Sequence, residues 1–110
     1  MTNEAHIFIE LPDRLNISSK NLTSRSVVLQ WKVIFDGNNE VTYFTLHYSS
    51  NTTKDGFRGN ITVPLRNNVT TFVAKYLKPY RRYTFEMTAQ NDLGASKPAL
   101  ITIDTLQDGK

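Results

Sequence analysis

Residues Leu77–Gly94 read L-K-P-Y-R-R-Y-T-F-E-M-T-A-Q-N-D-L-G. A proline turn at Pro79 leads into Tyr83. From there Tyr83, Phe85, Met87 and Ala89 alternate with Thr84, Glu86, Thr88 and Gln90, and the run stops at Asn91 and Gly94. Strict alternation predicts a strand with one face buried and one in water. The tyrosine at its start is amphipathic, so burying its ring requires a partner for its hydroxyl. The preceding turn, set by Pro79, brings backbone groups within reach.

Working outward, the same alternation recurs between polar clusters, and no segment of useful length repeats with helical spacing. His6 to Leu11 is a short apolar alternation ending at Pro12, a linker or the first piece of a strand. Leu15 and Ile17 predict the first clear strand. Ser26–Val33 predicts the second, with Val27, Leu29, Trp31 and Val33 inward. Asp36-Gly37-Asn38-Asn39 is a strong turn signal. Val41–Ser50 is the third strand, with Phe44, Leu46 and Tyr48 inward. Asn51–Gly59 is a polar loop. Asn60–Leu65 contains Pro64, which cannot donate to a ladder, so that strand belongs at a sheet edge. Thr70–Tyr76 puts Phe72 and Ala74 inward, and Ala99–Thr105 puts Ile101 and Ile103 inward. Seven strands predict an all-β sandwich of two antiparallel sheets.

The ordered set resembles a fibronectin type III domain over about Leu15 to Leu106. Val27-x-Leu29-x-Trp31 is similar to the family's B strand, and Phe44-x-Leu46-x-Tyr48 to its C strand. Leu77, Pro79, Tyr83, Phe85, Met87, Ala89, Asn91 and Gly94 fill the pattern of the E–F corner, F strand and following loop. The resemblance implies a seven-stranded immunoglobulin-like sandwich. Its structural signature here is Trp31, Leu77, Pro79, Tyr83, Asn91 and Gly94, with Tyr83 in a tyrosine corner. The expected layout is residues 1–12 as linker or start of the first strand, 13–106 as the domain, and 107–110 as a C-terminal linker.

Composition narrows the chemistry. At 110 residues the chain makes one domain, with six Phe, five Tyr and one Trp to fill its core. No apolar run approaches the length that spans a membrane. Met1-Thr2-Asn3-Glu4 does not read as a signal peptide, and Met1 reads as an added start on an excised piece. The net charge of +3 is too mild to call for nucleic acid. The absence of cysteine excludes disulfides and Cys-ligated metals. His6 and His47 lie far apart, the carboxylates Asp36, Glu40, Asp55, Glu86, Asp92 and Asp104 are scattered, and no Gly-rich phosphate loop or nucleophile elbow occurs. The expectation is a non-enzyme with no cofactor and no metal.

Two sets of residues carry the functional expectations. Asn-X-Ser/Thr occurs five times, at Asn16, Asn21, Asn51, Asn60 and Asn68, where ten Asn and 20 Ser or Thr in 110 residues would give about two by chance. All five are expected in solvent, as glycosylation requires. Lys75, Lys78, Arg81 and Arg82 cluster at the E–F corner. They offer a contact for an anionic glycan, a membrane surface or an acidic partner, or simply a solvated turn.

Two sites known in parts of the family are missing. The F–G loop, N-D-L-G-A-S-K-P, has no Arg-Gly-Asp, and no Trp-Ser-x-Trp-Ser precedes the last strand. The resemblance, with the sequons, implies a protein-binding, adhesion or spacer module. Its setting is the glycosylated ectodomain of a cell-surface or secreted protein of receptor phosphatase, receptor kinase or adhesion type, beside further domains of the same chain. An intracellular scaffold module and an accessory domain of an extracellular carbohydrate-active enzyme are the alternatives. The latter needs exposed coplanar aromatics, and only Phe57 and Tyr80 lack a core assignment.

Overall fold

The computed structural model describes residues 8–50 and 61–109. Within them seven strands follow in chain order: β1 (Asn16–Lys20), β2 (Val27–Lys32), β3 (Tyr43–Ser50), β4 (Ile61–Arg66), β5 (Thr71–Ala74), β6 (Arg82–Gln90) and β7 (Ala99–Asp104). They form a three-stranded sheet, β1-β2-β5, and a four-stranded sheet, β4-β3-β6-β7. All pairings are antiparallel. The polar loop at Asn51–Gly59, Phe57 within it, and the sequons Asn51 and Asn60 lie outside the described residues.

Alternation explains how the sheets close on each other. Leu46 opposes Met87 and Tyr48 opposes Phe85 across the β3–β6 ladder, so their side chains share the inner face. Val27, Leu29 and Trp31 supply the opposing face from β2, and all these residues are buried. Trp31 meets Phe44 edge-on, ring centroids 5.8 Å apart, which joins the two sheets. Tyr48 stacks on Phe85 at 4.9 Å. The Trp31 indole N–H has no hydrogen-bond partner among the described residues, so Trp31 acts as apolar filler. Pro64 sits opposite Thr45 on β4, which lies at the end of the sheet order, where a missing N–H costs no ladder bond.

The ladders end sooner than the sequence pattern does. Val33 continues the alternation of β2 but is exposed, because the last pair is Asn16–Lys32 and nothing extends beyond it. The strand expected to reach Tyr76 stops at Ala74, opposite Val27. Beyond it Tyr76 adopts φ +62° and points into solvent, and the Leu77 amide donates to the Arg25 carbonyl instead. At the start of β3, the Thr42 amide and hydroxyl both donate to the Gln90 carbonyl, so regular pairing begins one residue later.

Leu46 is fully buried. Leu46→Ala is therefore expected to lower unfolding stability by about 2–5 kcal/mol, read from denaturant midpoints. The Tyr48 phenol is raised above its ordinary pKa, by burial first and by Tyr83 second. The neutral phenol is thus favoured in the folded chain. Stability should be intact below about pH 10, the unfolded value, and fall as pH rises through the higher folded value. Tyr48→Phe should flatten that alkaline loss in denaturation curves taken across this range.

Candidate functional site

At one end of the sandwich lies the corner between β5 and β6. Leu77 is buried and anchors it. The Tyr83 hydroxyl accepts the Lys78 amide at 2.8 Å, which satisfies the buried phenol. The Lys78 carbonyl accepts the hydroxyl of buried Thr105 at 2.7 Å, and that hydroxyl in turn accepts the Arg81 amide at 2.8 Å. The Tyr80 amide donates to the Leu106 carbonyl, and the Leu106 amide to the Thr23 carbonyl. Three segments, the turn after β1, the corner and the chain after β7, are thus laced together.

The four expected cations do not share one surface. Lys75 and Lys78 are exposed and Arg81 is half-buried at the corner. Arg82 is already in β6, opposite Asp104 of β7, and makes a two-pronged ion pair with it at 2.7 and 3.1 Å. That hydrogen bond holds the Asp104 carboxyl below its ordinary value and the Arg82 guanidinium above its own. Arg25, distant in sequence, takes the vacated place: it lines the same hollow as Lys78, Tyr80 and Arg81. Its signal was the turn between β1 and β2, which no local motif links to the corner.

The opposite end is organised by Asn91. Its side chain is buried, and its Nδ2 donates to the Glu10 carbonyl at 2.7 Å and the Asp36 carbonyl at 3.0 Å. Its Oδ1 accepts the Leu93 and Gly94 amides at 2.9 and 3.2 Å. One side chain therefore ties the N-terminal segment, the β2–β3 loop and the β6–β7 loop. Gly37, at φ +81°, is required here: a Cβ would stand 2.0 Å from the Glu10 carbonyl oxygen. Ser96, missed by pattern reading, is buried and accepts the Ala89 amide at 2.9 Å, which fixes the β6–β7 loop.

Asn16 and Asn68 are exposed on β1 and in the turn before β5, and Asn21 is exposed just after β1 at φ +53°. None of the three lies on the four-stranded sheet. The outward face of that sheet carries Thr45, Thr84, Thr88 and Thr102, with His47 opposite Glu86 and in hydrogen bond with Thr62 at 3.0 Å. Among the described residues no group of His, Cys, Asp and Glu could hold a metal ion, and no helix is long and apolar enough to cross a membrane.

With this geometry the comparisons with known proteins agree. The family profile described as Fibronectin type III domain matches residues 12–105. Protein sidekick-2 of Gallus gallus is 29% identical over 86 residues, covering 78% of this chain and 4% of the relative. Neural cell adhesion molecule L1.1 of Danio rerio is 32% identical over 87 residues, covering 76% of this chain and 7% of the relative. The chain thus spans a small fraction of the length of these curated relatives. The solved third fibronectin III domain of human KIAA0343 protein shares the fold, with TM-score 0.73 and 13% identity over 99% of this chain and 94% of that one.

Asn91→Ala removes four part-buried hydrogen bonds to backbone groups on three segments and is expected to cost about 1–3 kcal/mol. Asn91→Asp keeps the acceptor for Leu93 and Gly94 but sets a carboxylate against two carbonyls. It should rescue none of that loss in thermal or denaturant unfolding.

Proposed function

The chain belongs to the fibronectin type III family, and on that premise we propose that it is a protein-interaction, adhesion or spacer module of a glycosylated ectodomain. Fibronectin type III domains are in general non-catalytic modules. The observation that carries the ectodomain reading is the placement of the sequons: Asn16, Asn21 and Asn68 are all exposed. Similarity to sidekick-2 and to the L1.1 adhesion molecule supports the adhesion type over the receptor phosphatase and kinase types.

The module works as a rigid body between neighbours in its own chain. In this reading residues 13–106 are the module, 1–12 a linker or the start of its first strand, and 107–110 a C-terminal linker. The N-terminal lead is tied down at Glu10 through Asn91, the C-terminal one at Leu106 through Tyr80 and Thr23. These ties sit at opposite ends of β6, whose nine residues set them about 30 Å apart. The outward face of the four-stranded sheet, which carries none of the sequons Asn16, Asn21 and Asn68, is the surface we assign to a protein partner. Glycans on Asn16, Asn21 and Asn68 would stand away from it.

Secretion from a eukaryotic host followed by N-glycosidase digestion tests the reading. A downward mobility shift is expected, diminished stepwise by Asn16→Gln, Asn21→Gln and Asn68→Gln. A secreted product whose mobility the glycosidase does not change would overturn it and favour the intracellular scaffold.

A further inference from the structure

The outer face of the three-stranded sheet sets short polar side chains beside long ones. Asn16 of β1 lies opposite Lys32 of β2, and Ser18 lies opposite Gln30, which in turn lies opposite Thr71 of β5. Partners in register share a face. Leu29 and Trp31, the neighbours of Gln30 on β2, are buried on the other face. Asn16, Ser18, Gln30, Lys32 and Thr71 therefore stand together on the outward side. With Thr70 they line a hollow of about 520 Å³, inside the range of roughly 300–1,000 Å³ that holds small organic ligands.

The hollow joins two sequons. Asn16 and Ser18 are the acceptor and the hydroxyl residue of Asn16-Ile17-Ser18, brought to one face by the two-residue period of a strand. Thr70 is the hydroxyl residue of Asn68-Val69-Thr70. Asn16 is exposed and lines the hollow itself, whereas Asn21 and Asn68 do not line it. We propose that this hollow is a docking site for the sugar carried by Asn16. The first N-acetylglucosamine of that glycan lies back over β2, against Gln30, Lys32 and Thr71, instead of standing out in solvent. Docking rests on the glycosylated reading and goes beyond it, because a sequon fixes where a glycan is attached and not where it lies.

The lining matches an uncharged amino sugar. Such a ring has apolar C–H faces and a rim of hydroxyl and amide groups. The methylene stems of Lys32 and Gln30 cover the faces. The Gln30 amide, the Lys32 ammonium and the Thr71 hydroxyl supply donors and acceptors for the rim. No carboxylate lines the hollow to repel or attract a charge, and Lys32 is its one cation. Attachment at the edge of the hollow also makes binding intramolecular, so contacts too weak to capture a free sugar suffice to hold a tethered one.

The test uses the chain secreted from a eukaryotic host with Asn16 as its one remaining sequon, trimmed to a single N-acetylglucosamine, against the same chain carrying Asn16→Gln. The trimmed glycoform should melt about 3–6 °C higher. Gln30→Ala/Thr71→Ala should abolish that gain, while shifting the Asn16→Gln background by no more than about 3 °C. With Asn21 as the one sequon, the trimmed sugar should bring no gain. A trimmed Asn16 glycoform that melts with its Asn16→Gln counterpart would overturn the docking and leave the ectodomain reading intact. So would a gain that survives Gln30→Ala/Thr71→Ala, an equal gain from sugar at Asn21, or a product glycosylated at Asn21 but not at Asn16. A secreted chain with every sequon present whose mobility the glycosidase does not change would overturn both.

Discussion

The hydrogen bond from the Lys78 amide to the Tyr83 hydroxyl constrains more of this molecule than its size suggests. Tyr83 must lie with its ring in the core because it opens the inward set of β6. A phenol buried there without a partner would cost about 1–3 kcal/mol. The chain before it therefore folds back until an amide reaches the oxygen, and that reversal is the β5–β6 corner. Leu77 is pressed under the sheets, Thr105 closes on the same turn from the end of β7, and two tyrosines are pushed outward in a conformation their side chains disfavour. A packing requirement in the core thus determines what the surface displays.

Asn91 plays the matching role at the other pole. Both poles rely on a buried polar group whose bonds are satisfied by backbone from distant segments. Such groups add little net energy when paired and a large penalty when not, so they select one arrangement of loops among many that the apolar core would accept. The core itself is generic: aliphatic and aromatic side chains at period two.

That division explains what could be read from the chain directly. The inward residues of β2, β3 and β6 followed from alternation, the edge position of Pro64 from its missing N–H, and the turn at Gly37 from its run of turn-forming residues. Alternation misled where it outran the ladder: Val33 and Tyr76 continue a pattern that no neighbouring strand continues. The candidate surface was only partly legible. Arg82 is a sequence neighbour of Arg81, yet one step along a strand turns a side chain to the other face, and Asp104 captures it there. Arg25 reaches the corner through a contact across some fifty positions of sequence, which no local spacing encodes. Thr105 and Ser96 look like ordinary polar residues at strand ends until their backbone partners are seen.

The opposite placement of the two ends has a mechanical consequence. Tension on the chain would enter along β1 from the Asn91 pole and leave along β7 at the Tyr83 pole. Each terminal strand would be pulled parallel to its own axis. The ladder bonds of β1 against β2 and of β7 against β6 run across the strands, so they would bear the force together in shear rather than open in succession like a zipper. With no disulfide to stop extension, a module that finally yielded would release its entire length. In a tandem array it would behave as a stiff link up to a threshold and as a shock absorber beyond it.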